Sequence, residues 1–292
     1  MTLVASTRAE MMTARSQVPG AEVAVVMTMG ALHAGHAALM QQARALIGPD
    51  GHLVATVFVN PTQFAAGEDF DRYPRTLDAD VAICEAAGVD VVFAPSVAEV
   101  YGAERDHRSP ARITVDPGPL GTILEGVARP GHFRGVLTVV ATLLHLTAPS
   151  ISCFGEKDYQ QLTLIKAMVE DLRFGVRIVG VETVREPDGL AMSSRNRYLS
   201  PQERRIASLV PRSLQAGVAA AVDGPQAARE AAMQVLAQEP AVVVDYVEVT
   251  DPMLGPAEAG PGRILVAVRV GSTRLIDNMA CQVGFPAGIG DR

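Results

Sequence analysis

Short β-branched runs recur through the first 180 residues: VAVVMTM at 23–29, LVATVFV at 53–59, VDVVFA at 89–94, residues 150–154 and VRIVGV at 176–181. This recurrence restricts the chain to few folds. The runs are too continuously apolar for strands with one wet face, and they suit strands covered on both sides, as in a parallel sheet. Helical patterns at about 36–47, 76–87, 136–147 and 159–172 lie between them. The β-α order predicts an α/β chain with a Rossmann-like, doubly wound parallel sheet, whose ligands gather at the carboxyl ends of the strands.

After REPDGLAMSSRNRYLS (185–200) the texture changes. Ser200, Pro201 and Glu203 spell a capping box with proline at the first helical position, and an Ala-rich helical stretch runs through the 230s. Strands near 242–250, 263–270 and 273–277 follow, so a smaller α+β domain is expected at 185–292, behind a first domain at 1–184. At 292 residues with 48% hydrophobic content, the chain has the material for two cores. Near the start, Thr7 and Glu10 predict the capping box of a short helix. The first twenty residues lack the long apolar run of a signal peptide or membrane span, so a chain kept in the cytoplasm is expected.

Charge and cysteine usage narrow the chemistry. A net charge of −7 argues against a broad basic field for nucleic acid or an anionic membrane, so any polyanion must meet a local basic pocket. Cys84, Cys153 and Cys281 have neither disulfide-framework nor zinc spacing, which fits a reducing cytoplasm. Of 25 basic side chains only Lys157 and Lys166 are lysines, which singles out any lysine lying near a predicted site.

The segment MTMGALHAGHAAL (27–39) stands where the first long strand hands over to a helix. Free N–H groups at a helix start favour an anion. Gly30 permits a tight turn, and Gly35 lets a bulky anion approach the backbone. His33 and His36 add imidazoles beside that space. Three readings stay open for them: phosphate ligands, metal ligands, or one capping and one packed histidine. The metal reading lacks a third ligand and the i, i+4 spacing around a glutamate.

Further along, FVNPTQF (58–64) brings Asn60 and Gln63 to the end of the second long strand, where their amides suit a polar substrate or simply a turn. The Gly-rich LEGVARPGHFRGV (124–136) concentrates Glu125, Arg129, His132 and Arg134 in one loop. FGEKDYQQL (154–162) carries Lys157 past another strand, with Asp158 beside it and Gln161 about a turn further on. AMSSRNRYL (191–199) offers two hydroxyls and an arginine at the domain junction.

Taken together and in this order, TMGALHAGH, FVNPTQF, LEGVARPGHFRGV, FGEKDYQQL and REPDGLAMSSRNRYLS resemble the pantothenate synthetase (pantoate–β-alanine ligase) family over about 27–200. The tail is similar to that family's C-terminal lid domain. The resemblance also reaches the wider HxGH nucleotidyltransferase superfamily, with MSSR as the counterpart of its mobile KMSKS loop. It implies that pantoate attacks the α-phosphorus of ATP to give pantoyl adenylate and pyrophosphate, and that β-alanine then displaces AMP. His33, His36 and Lys157 would be catalytic, with Met29, Asn60, Gln63 and Gln161 around pantoate and β-alanine. ATP would be held by Met29, Gly30, His33, Gly35, His36, Gly155, Lys157, Asp158, Val184, Met192, Ser193, Ser194 and Arg195. Mg2+ bound mainly through phosphate oxygens, no protein metal site and a homodimer are implied as well. One departure stands out: Met27 occupies the place of a family proline, which implies altered loop rigidity or pantoate affinity. Two other readings are a nucleotidyltransferase that releases its adenylated product, and a nonenzymatic nucleotide sensor. Pyrophosphate release and a requirement for β-alanine separate them.

Overall fold

The computed structural model describes residues 2–64, 70–102 and 111–284, and these fall into two compact units. The first comprises residues 1–156 and 160–182, and the second residues 157–159 and 183–292.

In the first unit the order is β1 (Leu3–Ala5), α1 (Arg8–Ser16), β2 (Val23–Thr28), α2 (Ala34–Ile47), β3 (His52–Val57), α3 (Leu77–Ala86), β4 (Val91–Phe93) and α4 (Val97–Tyr101). It continues with α5 (Glu125–Ala128), α6 (His132–Thr147), β5 (Ile151–Gly155), α7 (Tyr159–Asp171) and β6 (Arg177–Val181). The strands form one parallel sheet in the order β1-β4-β3-β2-β5-β6. Alternate residues of β2 serve opposite faces, as the pleat requires. Val23 and Val25 pack with Phe133, Leu137 and Ile165, while Ala24 and Val26 pack with Met40, Ala43 and Cys84. Helices therefore cover both faces, which is why the strands read as unbroken apolar runs.

The capping box at Thr7 and Glu10 starts α1. Strand β1 was not expected from the sequence. It is only three residues long, with Leu3 and Val4 exposed, and its existence depends on the ladder that β4 offers it.

From β2 the chain moves outward through β3 and β4, then returns to the other side of β2 for β5 and β6. The reversal lies between β2 and β5, and ligands of doubly wound sheets bind at the carboxyl ends of such a pair.

The second unit contains α8 (Pro201–Ala207), α9 (Leu209–Ala220), α10 (Pro225–Leu236), β7 (Val242–Thr250), β8 (Gly260–Val270) and β9 (Thr273–Val283). Its strands make an antiparallel sheet in the order β7-β8-β9. Val210 and Leu214, one turn apart on α9, pack with Leu236, Ile264, Val266 and Val268 in a separate core. The expected box at Ser200 and Glu203 starts α8.

Candidate functional site

The loop after β2 is held by groups that leave little freedom. Thr28 Oγ1 donates to the Thr56 carbonyl at 2.7 Å and accepts from Gly30 N at 3.2 Å. Gly30 has φ +83°, and a Cβ there would lie 3.0 Å from Asp80 Oδ2 and 3.1 Å from Val57 Cγ1, so both turn and packing demand glycine. Asp80, 1% exposed, accepts from Ala31 N at 3.1 Å and Leu32 N at 2.8 Å. Thr76 Oγ1 donates to the same carboxylate. Sequence reasoning missed Asp80, although a carboxylate one turn before buried Cys84 was the available signal. Met27 continues the β2 ladder opposite Thr56.

At the start of α2 the two histidines form a capping box. His33 Nδ1 accepts from Gly35 N at 3.1 Å, and His36 Nδ1 accepts from His33 N at 3.3 Å. Their ring centroids are 4.1 Å apart. A nitrogen that accepts carries no proton, so both rings take the Nε2–H tautomer. Both histidines cap, rather than one capping and one packing, and this sets each Nε2 as a donor. A cavity of about 320 Å³ adjoins this loop, lined by Met29, Gly30, Phe58, Arg75 and Thr76 among others.

The FVNPTQF and LEGVARPGHFRGV segments are welded together. Asn60 is 1% exposed; its Oδ1 accepts from the Tyr101 hydroxyl at 2.8 Å and its Nδ2 donates to the Gly135 carbonyl at 3.2 Å. Burial pushes the Tyr101 phenol up to about 12, so it remains a donor. Asn60 thus has both amide atoms engaged by protein. It donates to Gln63 Oε1 at 3.2 Å and so orients that side chain, whose Nε2 lies 2.8 Å from Met29 Sδ. His132 Nδ1 meets the Gln63 carbonyl at 2.9 Å while Arg129 Nη1 approaches His132 Nε2 at 3.0 Å. The guanidinium can only donate, which assigns the proton to Nδ1. Gly135 makes the approach possible: a Cβ would fall 2.3 Å from the Thr62 carbonyl oxygen.

Gln160, absent from the expected set, is 3% exposed and pins the polar loop through Leu120 O, Ile123 O and Glu125 N. Its neighbour Gln161 is half-buried, and its side chain has no hydrogen-bond partner among the described residues. Gly155 ends β5.

In the second unit, Lys157 Nζ lies 3.7 Å from Asp158 Oδ2, with the lysine side chain 20% exposed. Val184 O accepts from Met192 N at 2.9 Å, closing the base of a hairpin. Ser193 Oγ accepts from Arg195 N at 3.2 Å and caps the 3-10 turn Ser194–Tyr198. Arg204 ties this segment down by binding both Glu186 and Asp188, and its hydrogen bond holds the Asp188 carboxyl below the usual range.

Two thiols are poor nucleophiles. Burial pushes Cys84 up to about 12 and Cys153 up to about 11. Among the described residues, no group of three or more His, Cys, Asp or Glu side chains could hold a metal ion.

A family model described as pantoate-beta-alanine ligase matches residues 1–280. Pantothenate synthetase of Nocardioides sp. (strain ATCC BAA-499 / JS614) is 53% identical over 298 residues, covering 98% of this chain and 88% of its own length. The crystal structure of pantothenate synthetase from Thermus thermophilus is 46% identical with a TM-score of 0.86, covering 95% of this chain and 99% of that one. Pantoate-beta-alanine ligase from Francisella tularensis, crystallised with beta-gamma ATP and beta-alanine, is 31% identical with a TM-score of 0.78, covering 96% and 97%.

Proposed function

The chain belongs to the pantoate–β-alanine ligase family, and on that premise we propose how its residues divide the work of ATP-dependent pantothenate synthesis. A carboxylate resists attack by an amine because its leaving group would be oxide. Adenylation replaces oxide with AMP. A pantoate oxygen forms a bond to the α-phosphorus as the bond to pyrophosphate breaks. The β-alanine amine then attacks the acyl carbon, AMP leaves, and the amine loses a proton.

His33 and His36 carry this reading. Their Nδ1 atoms are spent on capping, so each Nε2–H becomes a donor for phosphate oxygens at a helix start, where the backbone already favours negative charge. Being oriented before ATP arrives, the two donors need no reorganisation as charge develops. Lys157 supplies a compact charge to the α-phosphate, and Ser193, Ser194 and Arg195 meet the departing phosphates. Met29, Gln63 and Gln161 line the pantoate pocket, with Asn60 as the positioning residue behind Gln63. Asp158 faces the ribose, and Gly155, Val184 and Met192 contact the nucleoside. The magnesium expected with ATP would be bound mainly through phosphate oxygens.

Residues 185–292 act as a lid in this proposal, excluding water from the adenylate. The active species is a homodimer of the cytoplasm. Among the described residues, no helix is long and apolar enough to cross a membrane. Light scattering on the purified chain tests the dimer.

The decisive experiment is ATP–pyrophosphate exchange with each substrate omitted in turn. Exchange should require pantoate but not β-alanine, and sustained AMP formation should require both. Exchange that demands β-alanine would exclude a free-standing adenylation step.

A further inference from the structure

The 157–159 segment is gripped by residues far along the chain. Asn278 on β9 is 4% exposed, and its Nδ2 donates to the Lys157 carbonyl at 2.9 Å. Its Oδ1 accepts from Arg263 Nη1. Because a carbonyl can only accept and a guanidinium can only donate, the two partners fix which way the amide points. The Arg263 guanidinium also lies 3.7 Å from the centre of the Tyr159 ring, and the Tyr159 hydroxyl donates to Pro252 O at 2.9 Å. The peptide carrying Lys157 is therefore anchored through both its carbonyl and the next side chain but one.

The same point on β9 holds a second element. Arg185 forms a bidentate pair with Asp277, at 2.6 and 3.1 Å, and donates to Asn278 O at 3.3 Å and Gly189 O at 3.0 Å. Asp277, 2% exposed, also accepts from Asn278 N at 2.7 Å. Two adjacent residues thus hold the Lys157 segment and the base of the hairpin leading to Ser193.

We propose that Asn278, oriented by Arg263 and Asp277, is a positioning residue for Lys157 in the adenylation step, which rests on the reading of Lys157 as the α-phosphate ligand. The main chain at Lys157 sets where the flexible four-carbon stem begins, so a shifted carbonyl displaces the ammonium from the developing charge. Displacements of this order cost rate more than binding when the contact matters most in the transition state.

The test is Asn278→Asp, which keeps an oxygen for Arg263 but sets an acceptor against the Lys157 carbonyl. Pantoate-dependent ATP–pyrophosphate exchange should fall ~tenfold in kcat, with KM for ATP changed less than ~threefold. In a Lys157→Ala background the same substitution should cost less than ~twofold, because its route is already gone. Asn278→Ser, which also loses the amide donor, serves as the second variant if the aspartate variant does not fold. Equal losses with and without Lys157, or parent-like exchange in both Asn278 variants while Lys157→Ala is impaired, would overturn the proposal alone. Parent-like exchange in Lys157→Ala would remove the reading of Lys157 and this proposal with it.

Discussion

Two helix starts in the first unit carry histidines, and they use them in opposite ways. At α2, the imidazoles accept backbone N–H bonds at Nδ1, so the proton sits on Nε2. At α6, His132 gives its Nδ1 proton to the Gln63 carbonyl and receives Arg129 at Nε2. The first arrangement completes its own helix and makes each Nε2 a proton donor. The second spends the ring on a neighbouring loop, holding the 61–63 turn against the 129–135 segment. Residue type and helical position are nearly the same in the two places; what differs is whether the partner is the helix's own backbone or another segment.

The largest expected effect comes from separating capping from ligand binding at α2. The double variant His33→Ser, His36→Gln rewrites H-x-x-H as the standard S-x-x-Q capping box, which serves the helix equally well. Its melting temperature should stay within about 3 °C of the parent, since each cap is worth only about 0.5–2 kcal/mol. Pantoate-dependent exchange should fall by on the order of a hundredfold, about 2.7 kcal/mol on the barrier. An active double variant would reduce the histidine pair to a cap.

At α6 the balance should invert. His132→Ala removes both bonds of a half-buried ring, so a stability loss of about 1–3 kcal/mol is expected in urea titration. The exchange kcat should change less than ~tenfold, while KM for pantoate rises through a loosened Gln63. A larger kcat effect than at α2 would erase the contrast between the two helix starts.

The smallest effect concerns a fourth histidine with neither device. His52 at the start of β3 is buried, and its Nε2 has no partner among the described residues. Burial lowers its pKa, opposed in part by Asp90. The unfolded chain therefore binds a proton first as pH falls. The stability tied to neutral His52 is complete above the ordinary histidine value near 6.5 and is lost as pH drops from there through the lowered folded value. His52→Leu should flatten that part of the acid limb by about 1 kcal/mol or less, read as melting temperature against pH between about 7 and 5. An unchanged slope would mean that another group controls it.

The contrast between the helix starts also marks how far sequence reading reaches. Strands β2 to β6 of the parallel sheet and the boxes at Thr7 and Ser200 were legible because each depends on spacing within a few residues of chain. The turn at Gly30 was legible for the same reason. The partners of Asn60 were not legible because Tyr101 and Gly135, which engage its amide, lie 41 and 75 residues away. Asp80 and Gln160 escaped notice since a buried polar residue on an apolar face shows its purpose only when the distant N–H or carbonyl it serves is in place.

By itself the sequence determined the α/β alternation and the capping boxes at Thr7 and Ser200, because local hydrogen bonding and apolar periodicity are written at short range, while its ordered motifs carried the family resemblance. The tertiary structure alone decided which polar groups are consumed within the protein and by which partners. A buried polar atom must find a partner wherever the fold provides one. That pairing drew Asn60 into the protein, oriented Gln63, and brought Asn278 to the carbonyl of Lys157 across 121 positions of sequence.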